Sequence, residues 1–203
     1  MIIYLIRHGA TEWNRLKLLQ GQTDIPLNED GIASAIECGK ELENIAFTKI
    51  YVSPLQRAYK TAELIRGDRD IPLIVDERIK EIAFGDIEGV DVNQVTDPTL
   101  KDNYQKFFYD PVNYQPIAGG ETLQSLVDRA DDFMEDIASK EADDSTVLVV
   151  AHGAVIKALQ MHALGRELPA IWQGGVPGNC AACIMEYKDG QYTLLSQGES
   201  TKY

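Results

Sequence analysis

The sequence predicts an α/β sandwich of three layers, with helices on both faces of a mostly parallel central sheet. Three observations lead there. Residues 2–6, 49–52 and 147–151 are short apolar runs rich in Ile, Val, Leu and Tyr, the composition of strands covered on both faces. The segments between them carry a helical period, and alternating strands and helices build parallel sheets. Each run also stops at a polar junction: Arg7-His8-Gly9, Ser53-Pro54-Leu55-Gln56-Arg57 and His152-Gly153. A charged group or a Gly just past a buried strand costs stability unless a site uses it. If the strands run parallel, all three junctions share the carboxyl edge of one sheet, where open α/β sheets bind ligands.

Taken in order, the strand at 2–6 is followed by a polar loop to about residue 26. A helix is predicted from Asn28, a plausible N-cap, to about residue 44, with Ile32, Ala35, Ile36, Gly39 and Leu42 facing inward. The second strand, 48–52, leads into a helix over 55–66, and Leu73-Ile74-Val75 reads as a short third strand. Residues 88–120 are the least regular part. Their core is a helix over 99–109 with Tyr104, Phe107 and Phe108 on one side, followed by a stretch holding Pro111, Pro116, Gly119 and Gly120. This segment reads as a cap-like excursion over the sheet edge within a single domain, 1–203. The cleanest helix spans 122–138, where Leu123, Leu126, Val127, Ala130, Phe133, Met134, Ile137 and Ala138 keep the helical period. The Gly pair before it reads as an ordinary turn. A strand over 146–151, a helix over 154–164 and a hairpin of 181–187 with 192–195, turning at Lys188-Asp189-Gly190, complete the chain.

At 203 residues the chain is long enough to bury a full core. No apolar run reaches membrane-spanning length, and the N-terminus lacks a basic region and a small-residue cleavage site. Cys38, Cys180 and Cys183 fit a reducing compartment. The expected location is therefore cytoplasmic. Net charge is −13, which argues against nucleic acid or an anionic membrane as partner. Cys180-Ala181-Ala182-Cys183 has ligand-like spacing without a second pair, and reads as small apolar residues entering a strand. No metal or cofactor is expected, and oligomeric state stays open. Two His and two Arg gathered at one sheet edge suit an anionic phosphate. Arg7 and Arg57 must reverse the acidic field locally.

These residues carry a resemblance. Arg7-His8-Gly9 with Thr11, Trp13 and Asn14, then Ser53-Pro54 with Arg57, then Glu81 in Glu-Ile-Ala-Phe-Gly, then Ala151-His152-Gly153, together resemble the histidine phosphatase superfamily, the phosphoglycerate-mutase-like group. The likeness covers residues 2 to about 155 in the family's order. It implies that fold and a metal-independent phosphomonoesterase acting on a small phosphate ester through a phosphohistidine. The alternatives are a phosphoglycerate mutase, or an inactive phosphate- or phosphopeptide-binding module.

On this reading His8 is the nucleophile, with a backbone carbonyl near Gly9 holding its other ring nitrogen. Arg7 and Arg57 clamp the phosphoryl oxygens. The resemblance assigns His152 to the phosphate pocket and Asn14 to an amide contact, with Thr11, Gln20, Gly21 and Gly153 as lesser contacts. Residue chemistry alone does not separate Glu81 from Glu77 or Glu88 as general acid; the resemblance selects Glu81. His162 lies inside a helix and reads as structural. The sequence departs from the family at Leu18, where many members place Arg and where Lys17 is the nearest substitute. It departs again at Ile87, where Trp is usual, and in the tail 198–203, which lacks a His-Leu ending.

Overall fold

The structure is a computed structural model and describes residues 1–198, 200 and 201. Part of the tail departure noted above lies outside the described residues. A six-stranded sheet runs in the order β3-β2-β4-β1-β6-β7. Its strands are β1 (Ile2–Arg7), β2 (Lys49–Val52), β3 (Leu73–Val75), β4 (Thr146–Ala151), β6 (Ala182–Lys188) and β7 (Gln191–Ser196). The first four are parallel, while β6 and β7 form an antiparallel hairpin on the β1 edge. The hairpin turns on Asp189 and Gly190, both left-handed (φ 52° and 78°), as a two-residue turn matched to strand twist requires. A separate two-stranded ribbon pairs β5 (Val176–Pro177) with β8 (Ser200–Thr201).

Alternation along the central strands splits the core into two layers. Val147, Val149 and Ala151 face α5 (Leu123–Lys140) and α6 (Gly153–Ala163). Leu148 and Val150 face α2 (Glu29–Glu41) and α3 (Gln56–Arg66). The Asn28 side chain accepts from the Gly31 N–H and caps α2. Thr122 caps α5 in the same way.

Two local expectations are corrected. The polar loop contains a short helix, α1 (Glu12–Arg15). The inward face of α2 is Gly31, Ala35 and Cys38, while Ile32 and Ile36 are 38% and 42% exposed. Close approach decides this. A Cβ on Gly31 would stand 2.0 Å from the Ala10 carbonyl oxygen, and one on Gly39 would stand 3.0 Å from that of Leu64. Only small residues admit the helix to that distance, so the larger isoleucines turn to the rim. The helix in the 88–120 segment is α4 (Pro98–Tyr109), with Asp97 capping it and Pro98 in its first turn.

Candidate active site

The site follows from strand register. Arg7 pairs with Ala151 across β1 and β4, so His8 and His152 are the next residues on neighbouring strands. The His8 N–H donates to the Ala151 carbonyl at 2.9 Å, and the two ring centroids are 5.1 Å apart. On the other flank of β4, Val52 pairs with Val150 and the Ser53 N–H donates to the Val150 carbonyl. Ser53, His152 and His8 thus stand on three adjacent strand ends. All three are buried.

Each ring has one nitrogen engaged. His8 Nδ1 lies 2.7 Å from the Gly9 carbonyl oxygen. A carbonyl only accepts, so Nδ1 carries the proton and Nε2 keeps its lone pair. Burial first, then Arg57 and Arg7, push the His8 pKa well below its ordinary value, against a smaller opposing effect of the Gly9 carbonyl. The ring is neutral at neutral pH. His152 Nε2 lies 2.8 Å from Ser53 Oγ. Its pKa is likewise pushed well down by burial and by Arg57.

Arg57 is fully buried in the first turn of α3. It donates to the carbonyls of Thr23 (2.9 Å) and Gly21 (2.7 Å). Burial brings its pKa down to about 10, so it keeps its charge at neutral pH. Arg7 donates to the Pro177 carbonyl at 2.9 Å. Arg7 Nε, Arg57 Nε and His152 Nδ1 are buried without a protein partner. Buried polar groups left unpaired cost about 1–3 kcal/mol each. An anion bound among them would remove that cost.

Glu81 reaches the same place from a loop. Its carboxylate accepts from the backbone N–H groups of Ala154 and Val155, in the first turn of α6, at 3.1 and 3.2 Å. It also accepts from the Ile82 N–H. Gly153 makes room: a Cβ there would lie 2.9 Å from Val176 and 3.6 Å from the Glu81 carboxylate. The two rivals do other work. Glu88 accepts from the N–H groups of Gln22, Thr23 and Phe84, and Glu77 pairs with Lys80 at the surface.

A cavity of ≈ 720 Å³ opens over this edge, lined by Arg7, His8, Asn14, Gln20, Gly21, Arg57, Glu81 and Gly153 among others. Asn14 Oδ1 accepts from the Thr11 N–H at 3.0 Å, which leaves the Nδ2 amide as the donor that Asn14 can offer the cavity. Gly21 is left-handed (φ 53°), and its carbonyl holds Arg57. Thr11 is corrected. It is fully buried, and its hydroxyl caps α1 by accepting from the Asn14 N–H, so it offers no ligand contact. The outer wall is aromatic: Tyr104, Phe107 and Phe108 from α4, with the Trp172 ring tilted against Phe107 at a centroid distance of 4.7 Å. Among the described residues, no three His, Cys, Asp or Glu side chains group to hold a metal.

Several supporting residues escaped the sequence reading. Thr61 Oγ1 accepts from the Gly9 N–H and donates to the Arg57 carbonyl, tying the His8 loop to α3. Asn179 donates to the His8 carbonyl. Arg129, on α5, pairs with Glu121 and donates to the carbonyls of Arg78, Lys80 and Glu81. It clamps the backbone that carries Glu81. A Thr one helical turn after Arg57 was a visible hint; for Asn179 and Arg129 the partners are distant in sequence and no local pattern marks them.

Two neutral imidazoles between two arginines, with a carboxylate at a helix N-terminus, define a site for phosphoryl chemistry. The chain belongs to the histidine phosphatase superfamily (branch 1), whose sequence model matches residues 3–200. It is 36% identical over 165 residues to "Uncharacterized phosphatase PhoE" of Bacillus subtilis (strain 168), covering 81% of this chain and 78% of that one. It is 29% identical over 191 residues to "Probable phosphoglycerate mutase GpmB" of Salmonella choleraesuis (strain SC-B67), covering 94% and 86%. The solved structure of Bacillus stearothermophilus YhfR superposes with a TM-score of 0.91 at 33% identity, over 98% of each chain. The chain is a histidine phosphatase with the phosphoglycerate-mutase-like fold that the resemblance implied.

Proposed function

We propose that this chain hydrolyses small phosphomonoesters in two displacements at His8, without a metal. The observation that carries the reading is the His8–Gly9 hydrogen bond, which leaves Nε2 as the free nucleophile in a ring that burial keeps neutral. In the first step Nε2 attacks phosphorus and the ester P–O bond breaks. Glu81 gives its proton to the leaving alkoxide. In the second, water attacks the phosphohistidine, Glu81 takes a proton from it, and the P–N bond breaks to release phosphate. The Glu81 carboxylate accepts from α6 N–H groups at the rim of the cavity, and the first step requires its acid form released from them. Arg7, Arg57, Asn14 and the His152 N–H balance charge on the phosphoryl oxygens, with Gln20, Gly21 and Gly153 shaping the floor.

The mutase reading is weaker on one observation. A mutase must grip the carboxylate of its substrate while excluding water. Between Glu81 and His152 the one Arg is Arg129, and its donors are spent on Glu121 and three carbonyls. The 88–120 segment acts as a cap, and it offers the cavity aromatic rings and Lys101 rather than Arg. A dead binding module has no use for a positioned proton donor. The free thiols Cys38, Cys180 and Cys183 support a cytoplasmic location, and no helix among the described residues is long and apolar enough to cross a membrane.

The decisive experiment traps the intermediate. Rapid acid-free quenching with labelled substrate should yield an acid-labile, alkali-stable phosphoenzyme from the native chain and none from His8→Ala, whose turnover should fall more than about a thousandfold. A His8→Ala protein that keeps more than about one per cent of activity excludes the covalent route. Supplying 3-phosphoglycerate should release phosphate faster than it yields 2-phosphoglycerate; the reverse ratio favours the mutase. Exhaustive chelation should leave the rate unchanged.

A further inference from the structure

Ser53 has no role in the scheme above, yet it is fully buried against the ring of His152, whose centroid lies 5.1 Å from that of His8. Its hydroxyl oxygen has two partners among the described residues. The Leu55 N–H points at it from 3.4 Å, and His152 Nε2 lies 2.8 Å away. The first is a donor and takes an oxygen lone pair. Two arrangements then exist for the second. If His152 carried its proton on Nε2, the ring would donate as well, and the buried Ser53 hydroxyl hydrogen would have no acceptor. It would also leave His152 Nδ1, buried and without a protein partner, presenting a lone pair to an arriving anion, which it would repel. If instead Ser53 donates its hydroxyl hydrogen to Nε2, the hydroxyl is fully matched, the ring proton sits on Nδ1, and that N–H is the one group left for a ligand to pair.

We propose that Ser53 is a positioning residue: by donating to His152 Nε2 it holds the ring as the Nδ1–H tautomer, so that Nδ1 is a donor to the phosphoryl group. The two histidines of the site then share one tautomer for opposite purposes. In His8 the Gly9 carbonyl holds the Nδ1 proton and frees the Nε2 lone pair to attack. In His152 the Ser53 hydroxyl occupies the Nε2 lone pair and frees the Nδ1 proton to bind. A carbonyl can hold only the first arrangement and a hydroxyl short of acceptors enforces the second. This difference turns two similar imidazoles into a nucleophile and an electrostatic donor. The tautomer is a property of the resting chain. Only its kinetic consequence rests on the phosphatase reading.

The test is the two-bond proton–nitrogen spectrum of the full chain labelled with nitrogen-15 histidine, with His152 assigned by its loss in His152→Asn. The wild type should show a pyrrole-like Nδ1 and a pyridine-like Nε2 at His152. Ser53→Ala should move both signals toward a tautomer mixture, and Ser53→Thr, which keeps the hydroxyl, should restore them. In assays Ser53→Ala should lose on the order of ten- to a hundredfold in kcat/KM, the scale of partners that orient a working imidazole, and Ser53→Thr should recover most of it. A wild-type His152 protonated on Nε2, or on both nitrogens, overturns the proposal and needs no variant to be seen. So does a folded Ser53→Ala protein whose His152 stays wholly Nδ1–H. A chain with the expected tautomer but no turnover on any phosphate ester would sink the phosphatase reading and leave the tautomer standing.

Discussion

At the sheet edge, His8, His152 and Ser53 stand on three adjacent strands, with Arg57 on the helix that follows one of them. At the far end of the same cavity, the wall is made by rings from α4 and by Trp172 from a later loop. The two ends are held differently. The inner end is fixed by ladder register and by hydrogen bonds between fully buried groups, so a lost partner strands a buried donor or acceptor. The outer end is held by ring-edge contacts between Tyr104 and Phe108, Phe107 and Phe108, and Phe107 and Tyr114, and by the Trp172 indole donating to the Phe107 carbonyl. Lys157, buried in α6, anchors the Trp172 loop through the Gln173 carbonyl at 2.7 Å. Ring contacts yield gradually to substitution. Specificity can therefore change at one end while the chemistry at the other is untouched.

The sharpest way to break this contrast is Glu81→Gln. The amide cannot carry the proton in either step. Alkyl phosphates should lose on the order of 10²–10⁴ in kcat. With p-nitrophenyl phosphate, whose leaving group needs little protonation, one equivalent of nitrophenol should appear in a burst before a slow steady rate. Equal loss on both substrates without a burst would remove Glu81 from the first step.

Trp172→Ala acts at the other end. It should reduce kcat/KM for aromatic phosphate esters by about tenfold, the scale of one aromatic contact. Inhibition by vanadate, which engages only the inner end, should move by less than about twofold. A parallel loss of vanadate affinity would show that the wall and the phosphate pocket are mechanically coupled.

Acid titration separates the ends by stability. His8 and His152 have folded-state pKa values below the ordinary value, through burial and Arg57. Their unfolded value is about 6.5. As pH falls below that, the unfolded chain binds protons and the folded chain does not, so folding weakens. Each ring contributes up to about 1.4 kcal/mol per pH unit until the folded pKa is passed. The urea midpoint should therefore drop between pH 7.5 and pH 5.5, and less so in His152→Asn. The same shift places the acid limb of kcat/KM, which needs neutral His8, below pH 6.5 rather than at it.

The smallest effect is expected at the cavity mouth. Lys17 follows α1 with φ 57°, while the Leu18 N–H donates to the Trp13 carbonyl and the Lys17 N–H to that of Asn14. This is the helix stop that Gly usually makes, and a side chain there costs about 1 kcal/mol. Lys17 lines the cavity. Lys17→Gly should raise stability by about 0.5–1 kcal/mol. It should also raise KM about two- to fivefold for esters that carry a second acidic group, the scale of one exposed charge contact. An unchanged KM would mean that Lys17 reads nothing.

Much of the inner end was legible because strand ends announce themselves. A buried apolar run that stops at Arg7-His8 or at His152 leaves few places for those side chains, and parallel pairing puts them together. Thr11 obeys a local rule instead of serving the ligand. Three residues before Asn14, it fits the helix N-cap pattern, and its hydroxyl is consumed there. The inward face of α2 departs from the expectation of the helical period, because its largest apolar residues, Ile32 and Ile36, lie on the exposed side. Contact with Ala10 and Leu64 excluded them, and that contact lies far along the chain from the pattern being read.

By itself, then, the sequence determined the alternation of strands and helices, the polar junctions at three strand ends and the chemical types available there. These depend on composition and period, which are local. Only the tertiary structure decided that Glu81, and not Glu77 or Glu88, meets the N-terminus of α6. It also decided that Arg129 clamps the Glu81 loop instead of meeting substrate, and that a serine and a carbonyl give two histidines different free nitrogens. Each of these turns on which donor stands within about 3 Å of which acceptor. That distance is set by packing between segments whose separation along the chain carries no signal.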